Sequence, residues 1–174
     1  MPQEFDWKEK IDVLNEADRF VSESDVALFA DSNLPNAFFL QHFLCPGAEP
    51  FCRKRYWRSF ARVLISRGIE RIADVKKELL IWLQDVNWPG SAEVFQFILF
   101  NLLSFQDEIK ISMLEAVKTK DEAWFSALWL LLYQKQGLTE AEIAARLSTV
   151  SEILTADKGE EVTSNLIDEY FAKE

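Results

Sequence analysis

The chain has 174 residues, 49% hydrophobic and 13% aromatic, with five Gly, five Pro and a formal charge of −10. That length supports one core, burying roughly two thirds of the surface of the unfolded chain, and the composition excludes disordered and fibrous classes. The longest apolar windows, VFQFILFNLLSF and AWFSALWLLLY, are too short to cross a hydrocarbon layer of roughly 30 Å. The opening MPQEFDWKEKID is charged from its fourth residue, against a signal peptide. These features point to a cytoplasmic protein without membrane contact.

Helical periodicity runs from end to end, and no sustained alternation calls for a strand. WKEKIDVLNEADRFV places Trp7, Ile11, Leu14, Ala17 and Val21 on one face, and a Ser-x-Ser-Asp break at 22–25 follows it. DVALFAD, a loop with Pro35, and NAFFLQHFL come next. The run Cys45-Pro46-Gly47-Ala48-Glu49-Pro50 is the clearest non-helical joint. FCRKRYWRSFARVLISRG then reads as a helix over 51–67 that ends at Gly68.

Beyond it, Val75, Leu79, Leu80, Trp82 and Leu83 form an apolar face on a helix that must stop before Trp88, because Pro89 pushes the preceding residue out of the helical region. Pro89 is suited to open the next helix, GSAEVFQFILFNLLSF, which is apolar nearly all round and is expected at the centre of the core. DEIKISMLEAVK precedes KDEAWFSALWLLLYQKQ, for which Thr119 and Glu122 offer a capping box and Gly137 a stop. LTEAEIAARLSTVSEIL repeats the device with Thr139 and Glu142, stapled by Leu138 and Ile143, and EEVTSNLIDEYF closes the chain. Seven to nine helices in one all-α domain, as stacked antiparallel hairpins or a compact bundle, are expected.

The segment LLIWLQDVNWP, followed some thirty residues later by DEAW, carries the most distinctive motif. Leu79, Leu80, Trp82, Leu83, Gln84, Asp85, Asn87, Trp88 and Pro89, with Asp121, Glu122 and Trp124, resemble a family of small bacterial helical domains of unknown function, family 5071. The resemblance covers about residues 70–174 as a helical core and leaves 1–70 as divergent N-terminal helices. Phe125 stands where family members tend to carry Lys. The resemblance implies stacked hairpins of the HEAT-repeat type and no particular activity.

On chemistry alone, Trp82, Gln84, Asp85, Asn87, Trp88, Pro89 and Trp124 read as a structural corner. Asn87 suits a turn after a helix end, both indoles can close over it, and Asp85 is expected to accept from free N–H groups at the start of the next helix. Catalysis, metal and cofactor are not expected: His42 is the only histidine, Cys45 and Cys52 lack a second pair, and no nucleophile elbow or phosphate loop is present.

Charge is unevenly distributed. Residues 1–50, 51–71, 72–120 and 121–174 carry nets of −7, +6, −2 and −7, so one basic helix sits in an acidic protein. Arg53, Arg55, Tyr56, Trp57, Arg58 and Arg62 form the candidate interaction surface, mixing cations and aromatics as single-strand binders do. The total charge favours neutralisation of acidic neighbours over nucleic acid. The expected role is therefore a non-catalytic module docking a protein partner, an immunity-type inhibitor of a basic protein being one version. A HEAT-like nucleic-acid-binding or repair protein using 51–67 is the alternative, and the oligomeric state is open.

Overall fold

The described residues of the computed structural model are 22–43, 57–134 and 139–173, and all regular structure among them is helical. Helix α1 is Glu23–Asp31 and α2 is Asn36–Phe43. A capping box opens α1: the Asp25 N–H donates to Ser22 Oγ at 3.2 Å, and the Ser22 N–H donates to Asp25 Oδ2 at 3.3 Å. Helix α3, Trp57–Arg67, packs against both, and Gly68 follows it with φ +80°, the left-handed stop its type foretells.

A 3-10 turn, Ala73–Val75, leads into the short α4, Lys76–Ile81, which tightens into a second 3-10 turn, Trp82–Gln84. Val75, Leu79, Leu80, Trp82 and Leu83 are all buried, as their spacing predicts. Helix α5, Ser91–Phe100, starts two residues later than Pro89. Gly90 occupies the junction with φ +96°, and a Cβ there would lie 2.8 Å from that of Ala61 on α3, so the turn requires glycine rather than proline at the helix mouth.

Nor is α5 central. Only Ser91, Val94 and Ile98 of its residues are buried, and Phe100 is 84% exposed. The centre belongs to α6, Gln106–Thr119, and α7, Glu122–Gln134, which pack on each other, with α10, Gly159–Phe171, against α6. Trp124, Phe125, Ala127, Leu128, Trp129, Leu131 and Leu132 make α7 the most deeply packed helix. A contiguous apolar cluster runs from Val26 on α1 to Tyr170 on α10.

Two helix boundaries differ from the sequence reading. Thr119 ends α6, donating to Glu115 O at 3.0 Å, while Asp121 Oδ1 accepts the Trp124 N–H at 3.0 Å and caps α7. A left-handed Lys120, φ 55°, must turn the chain between the two, so the capping position falls on Asp121. The stretch from 140 to 155 is two helices, α8, Glu140–Leu147, and α9, Val150–Thr155. Ser148 donates its hydroxyl to Ala145 O at 2.6 Å, a local bond that competes with helix continuation. The Thr139–Glu142 box is formed, with Glu142 N–H to Thr139 Oγ1 at 3.3 Å and Thr139 N–H to Glu142 Oε2 at 2.9 Å. Gly137 and the Leu138 side of the staple lie outside the described residues.

Candidate functional site

The corner between α4 and α5 is built from its own backbone. The Asp85 carboxylate accepts the Asn87 N–H at 2.9 Å and the Asn87 side-chain amide at 3.1 Å, an Asx turn that reverses the chain. Its acceptor role was foreseen, but its partner is Asn87 and not the first N–H groups of α5. Ser91 ties the two helices instead, its hydroxyl lying 2.6 Å from Trp82 O and 3.0 Å from Asp85 O. The Trp82 indole donates to Pro89 O at 3.2 Å, and the Trp124 indole reaches across from α7 to Leu80 O at 2.9 Å. Trp88 stacks edge-on against Trp57 of α3, with ring centroids 4.9 Å apart. Gln84 is half-buried beside them. Every one of these contacts joins helix ends, and the corner brings together no pair of acid and base groups.

Helix α3 presents a second arrangement. Trp57 is only 7% exposed, so its ring faces the core and not a ligand. Arg58 pairs with Glu93 of α5, and Arg62 with Glu23 of α1. Arg53, Arg55 and Tyr56 lie outside the described residues. Among the described residues the deepest cation is Arg67, which no local sequence pattern singles out. Its guanidinium donates to Leu34 O and Asn36 Oδ1, both at 2.7 Å, to Ser32 Oγ at 2.9 Å, and to Phe29 O and Ser32 O at 3.2 Å.

The same guanidinium lies 4.5 Å from the Phe39 ring centroid. Arg71 adds bonds to Ala30 O and Ser32 O at 2.9 Å, and the Asn36 amide donates to Asp74 Oδ1 at 2.6 Å. Burial pushes the Arg67 guanidinium below its ordinary value, Arg71 adds to that effect and Asp74 opposes it; it stays charged all the same. The cluster closes the C-terminal end of α1, whose last carbonyls have no partner in their own helix.

Two shallow hollows flank α5. One, of about 540 Å³, is lined by Arg62, Ile65, Phe97 and Phe100 among others; the second, of about 570 Å³, by Arg58, Val86, Trp88 and Pro89, and both reach Ala92 and Glu93. Among the described residues no group of three His, Cys, Asp or Glu could hold a metal ion, and no helix is long and apolar enough to cross a membrane. His42, Cys45 and Cys52 contribute no described side chain.

These features define an all-helical protein whose described polar constellations are bound into its own backbone. Its corner carries the LLIWLQDVNWP sequence, and the chain belongs to the family described as a domain of unknown function, DUF5071, whose model matches residues 54–171. The match takes in α3 as well as the corner, reaching further upstream than the motif alone delimits. No curated protein and no solved structure matches the chain.

Proposed function

We propose that the chain is a non-catalytic helical interaction module that docks a basic protein through the acidic face of α8–α10, in the manner of an immunity-type inhibitor. The observation that carries this reading is the fate of the charges. The described cations of α3 each have a partner within the chain, Arg58 on Glu93 and Arg62 on Glu23 at the surface and Arg67 on buried carbonyl groups, which reduces the free charge α3 offers phosphate.

The acidic end is different. Asp168, Glu160, Glu161 and Glu169 have lysine partners, yet Glu140, Glu152 and Asp157 pair with no lysine or arginine among the described residues and are exposed. In this reading the pairs α6–α7 and α9–α10 stack as hairpins of the HEAT type and leave that face open. A field of one sign over such a face raises the encounter rate with an opposite charge by roughly 10- to 1,000-fold and repels acidic competitors.

The test is capture from a lysate of the cells that carry the gene, using the tagged chain and the variant Glu140→Lys/Glu152→Lys/Asp157→Lys. The reading predicts that the unaltered chain retains a basic protein, that salt releases it, and that the variant, folded to the same melting temperature, does not retain it. Equal capture by the variant, or capture only of acidic proteins, overturns it.

A further inference from the structure

Helices α1 and α2 are held to the rest of the molecule by an interface unlike those at its centre. Their buried apolar residues are few, Val26, Phe29 and Ala30 on α1 and Phe39 and Leu40 on α2. Among the described residues α1 packs chiefly on α3, and α2 on α3 and the 3-10 turn Ala73–Val75. Helices α6 and α7, by contrast, hold Ile109, Met113, Ala116, Phe125, Leu128 and Leu131 wholly out of water.

The middle of that interface is polar. Arg67 donates to Phe29 O, Ser32 O, Ser32 Oγ, Leu34 O and Asn36 Oδ1, and Arg71 to Ala30 O and Ser32 O. In the other direction the Asn36 amide donates to Arg71 O and Asp74 Oδ1. Every one of these bonds joins residues 29–36 to residues 67–74, so all of them break together when the two surfaces part. Each is then exchanged for a bond to water, and the guanidinium regains the hydration that burial withholds. A polar interface of this kind separates at a lower cost than an apolar one of the same extent, while fixing a single register when closed.

The two ends of α1 are held differently. Its C-terminal end is tied by the Arg67 and Arg71 bonds, whereas its N-terminal end has the surface pair of Glu23 with Arg62, where the Glu23 side chain is 83% exposed and the attraction is screened by salt. The family match points to the same division. Residues 54–171 take in α3 to α10 and leave α1 and α2 outside, so the family is defined by helices that the pair covers and not by the pair itself. Phe60 of α3 lies under that cover, its ring centroid 6.1 Å from that of Phe39.

We propose that α1 and α2 form a cap that opens from α3 as one unit while α3 to α10 stay folded, with Arg67 as its latch. Closed, the latch hides Phe60; open, it exposes that apolar face of α3 without unfolding the α6–α7 core. Opening of one such unit below the cost of global unfolding is how a polar, lightly packed element behaves. The cap involves no residue of the acidic face and stands independently of the docking reading.

Native-state hydrogen exchange of the full chain, read by mass spectrometry at low denaturant, tests this. Amides of α1 and α2 should exchange as one group, at least about tenfold faster than those of α6 and α7. Arg67→Met should speed the exchange of α1 and α2 about a hundredfold. Trp124→Phe removes a bond of the core that stays folded, so it weakens the closed and open states alike. It should speed α6 and α7 about fivefold and leave α1 and α2 unchanged. Exchange of α1 and α2 at the α6–α7 rate, or an equal response of both regions to Trp124→Phe, means that the pair leaves only with the whole fold and overturns the proposal. Indifference of α1 and α2 to Arg67→Met overturns it as well.

Discussion

Replacing Arg67 by Met measures how far the basic helix serves the fold itself. The side chain has five acceptors, but not all are stranded by its loss. Phe29 O keeps the Ser32 hydroxyl at 2.6 Å, and Ser32 O keeps Arg71 at 2.9 Å. Leu34 O and Asn36 Oδ1 lose the donor 2.7 Å away that holds them. Each buried acceptor left without a donor costs about 1–3 kcal/mol, so the pair costs about 2–6 kcal/mol, with the lower half favoured because Leu34 is half-buried.

In a chain of this size about 3 kcal/mol lowers the melting temperature by about 6–12 °C. Thermal unfolding followed by far-ultraviolet circular dichroism reads this directly. Arg67→Lys keeps the charge but supplies a point donor in place of a planar fork, and should recover less than half of the loss. A drop under about 2 °C for Met, or full recovery by Lys, would refute the bookkeeping that assigns α3 its structural role.

Gly90→Ala should destabilise by more than about 2 kcal/mol, because the left-handed backbone and a Cβ 2.8 Å from Ala61 both oppose it; a urea midpoint unchanged from the parent would contradict this. Trp124→Phe keeps an aromatic ring but removes the indole donor to Leu80 O, which retains a backbone N–H at the helix end, and a loss of about 1 kcal/mol in the same assay is expected. Glu169 accepts from Lys173, which holds its carboxyl below the usual glutamate value. A depressed carboxylate contributes stability above its unfolded value and loses it as pH falls through the folded one. Lys173→Met should raise the Glu169 midpoint seen by NMR titration, and an unmoved midpoint would dismiss the pairing.

Helix type and many stops are legible in the sequence because they depend on neighbours a few positions away. Gly68, the Thr139–Glu142 box and the buried face from Val75 to Leu83 are local signals of that kind. What escaped depends on distance or on crowding. Ser91 and Arg67 act through carbonyls brought near by the fold, Leu34 being 33 positions from Arg67, and no local pattern marks such a bond. Helix α5 was placed at the centre because an apolar window reports what a helix would bury, not whether neighbours exist to bury it.

The cap of α7 shows a different limit. Thr119 and Asp121 both precede the helix with suitable side chains, and only the left-handed turn at Lys120 decides between them. At the corner, the chemistry of Asp85 was legible as an acceptor near a helix end. Its partner was not, since an Asx turn onto Asn87 and a bond to the next helix call for the same residue types.

The central claim is that the chain acts through its acidic face while the cations of α3 serve its own fold. Fluorescence anisotropy at low salt tests it most directly, comparing labelled poly-lysine with a labelled DNA duplex. The account predicts that poly-lysine binds, that Glu140→Lys/Glu152→Lys/Asp157→Lys weakens it, and that the duplex gives no signal. Duplex binding abolished by Arg58→Glu/Arg62→Glu, with poly-lysine indifferent to the acidic substitutions, would contradict it.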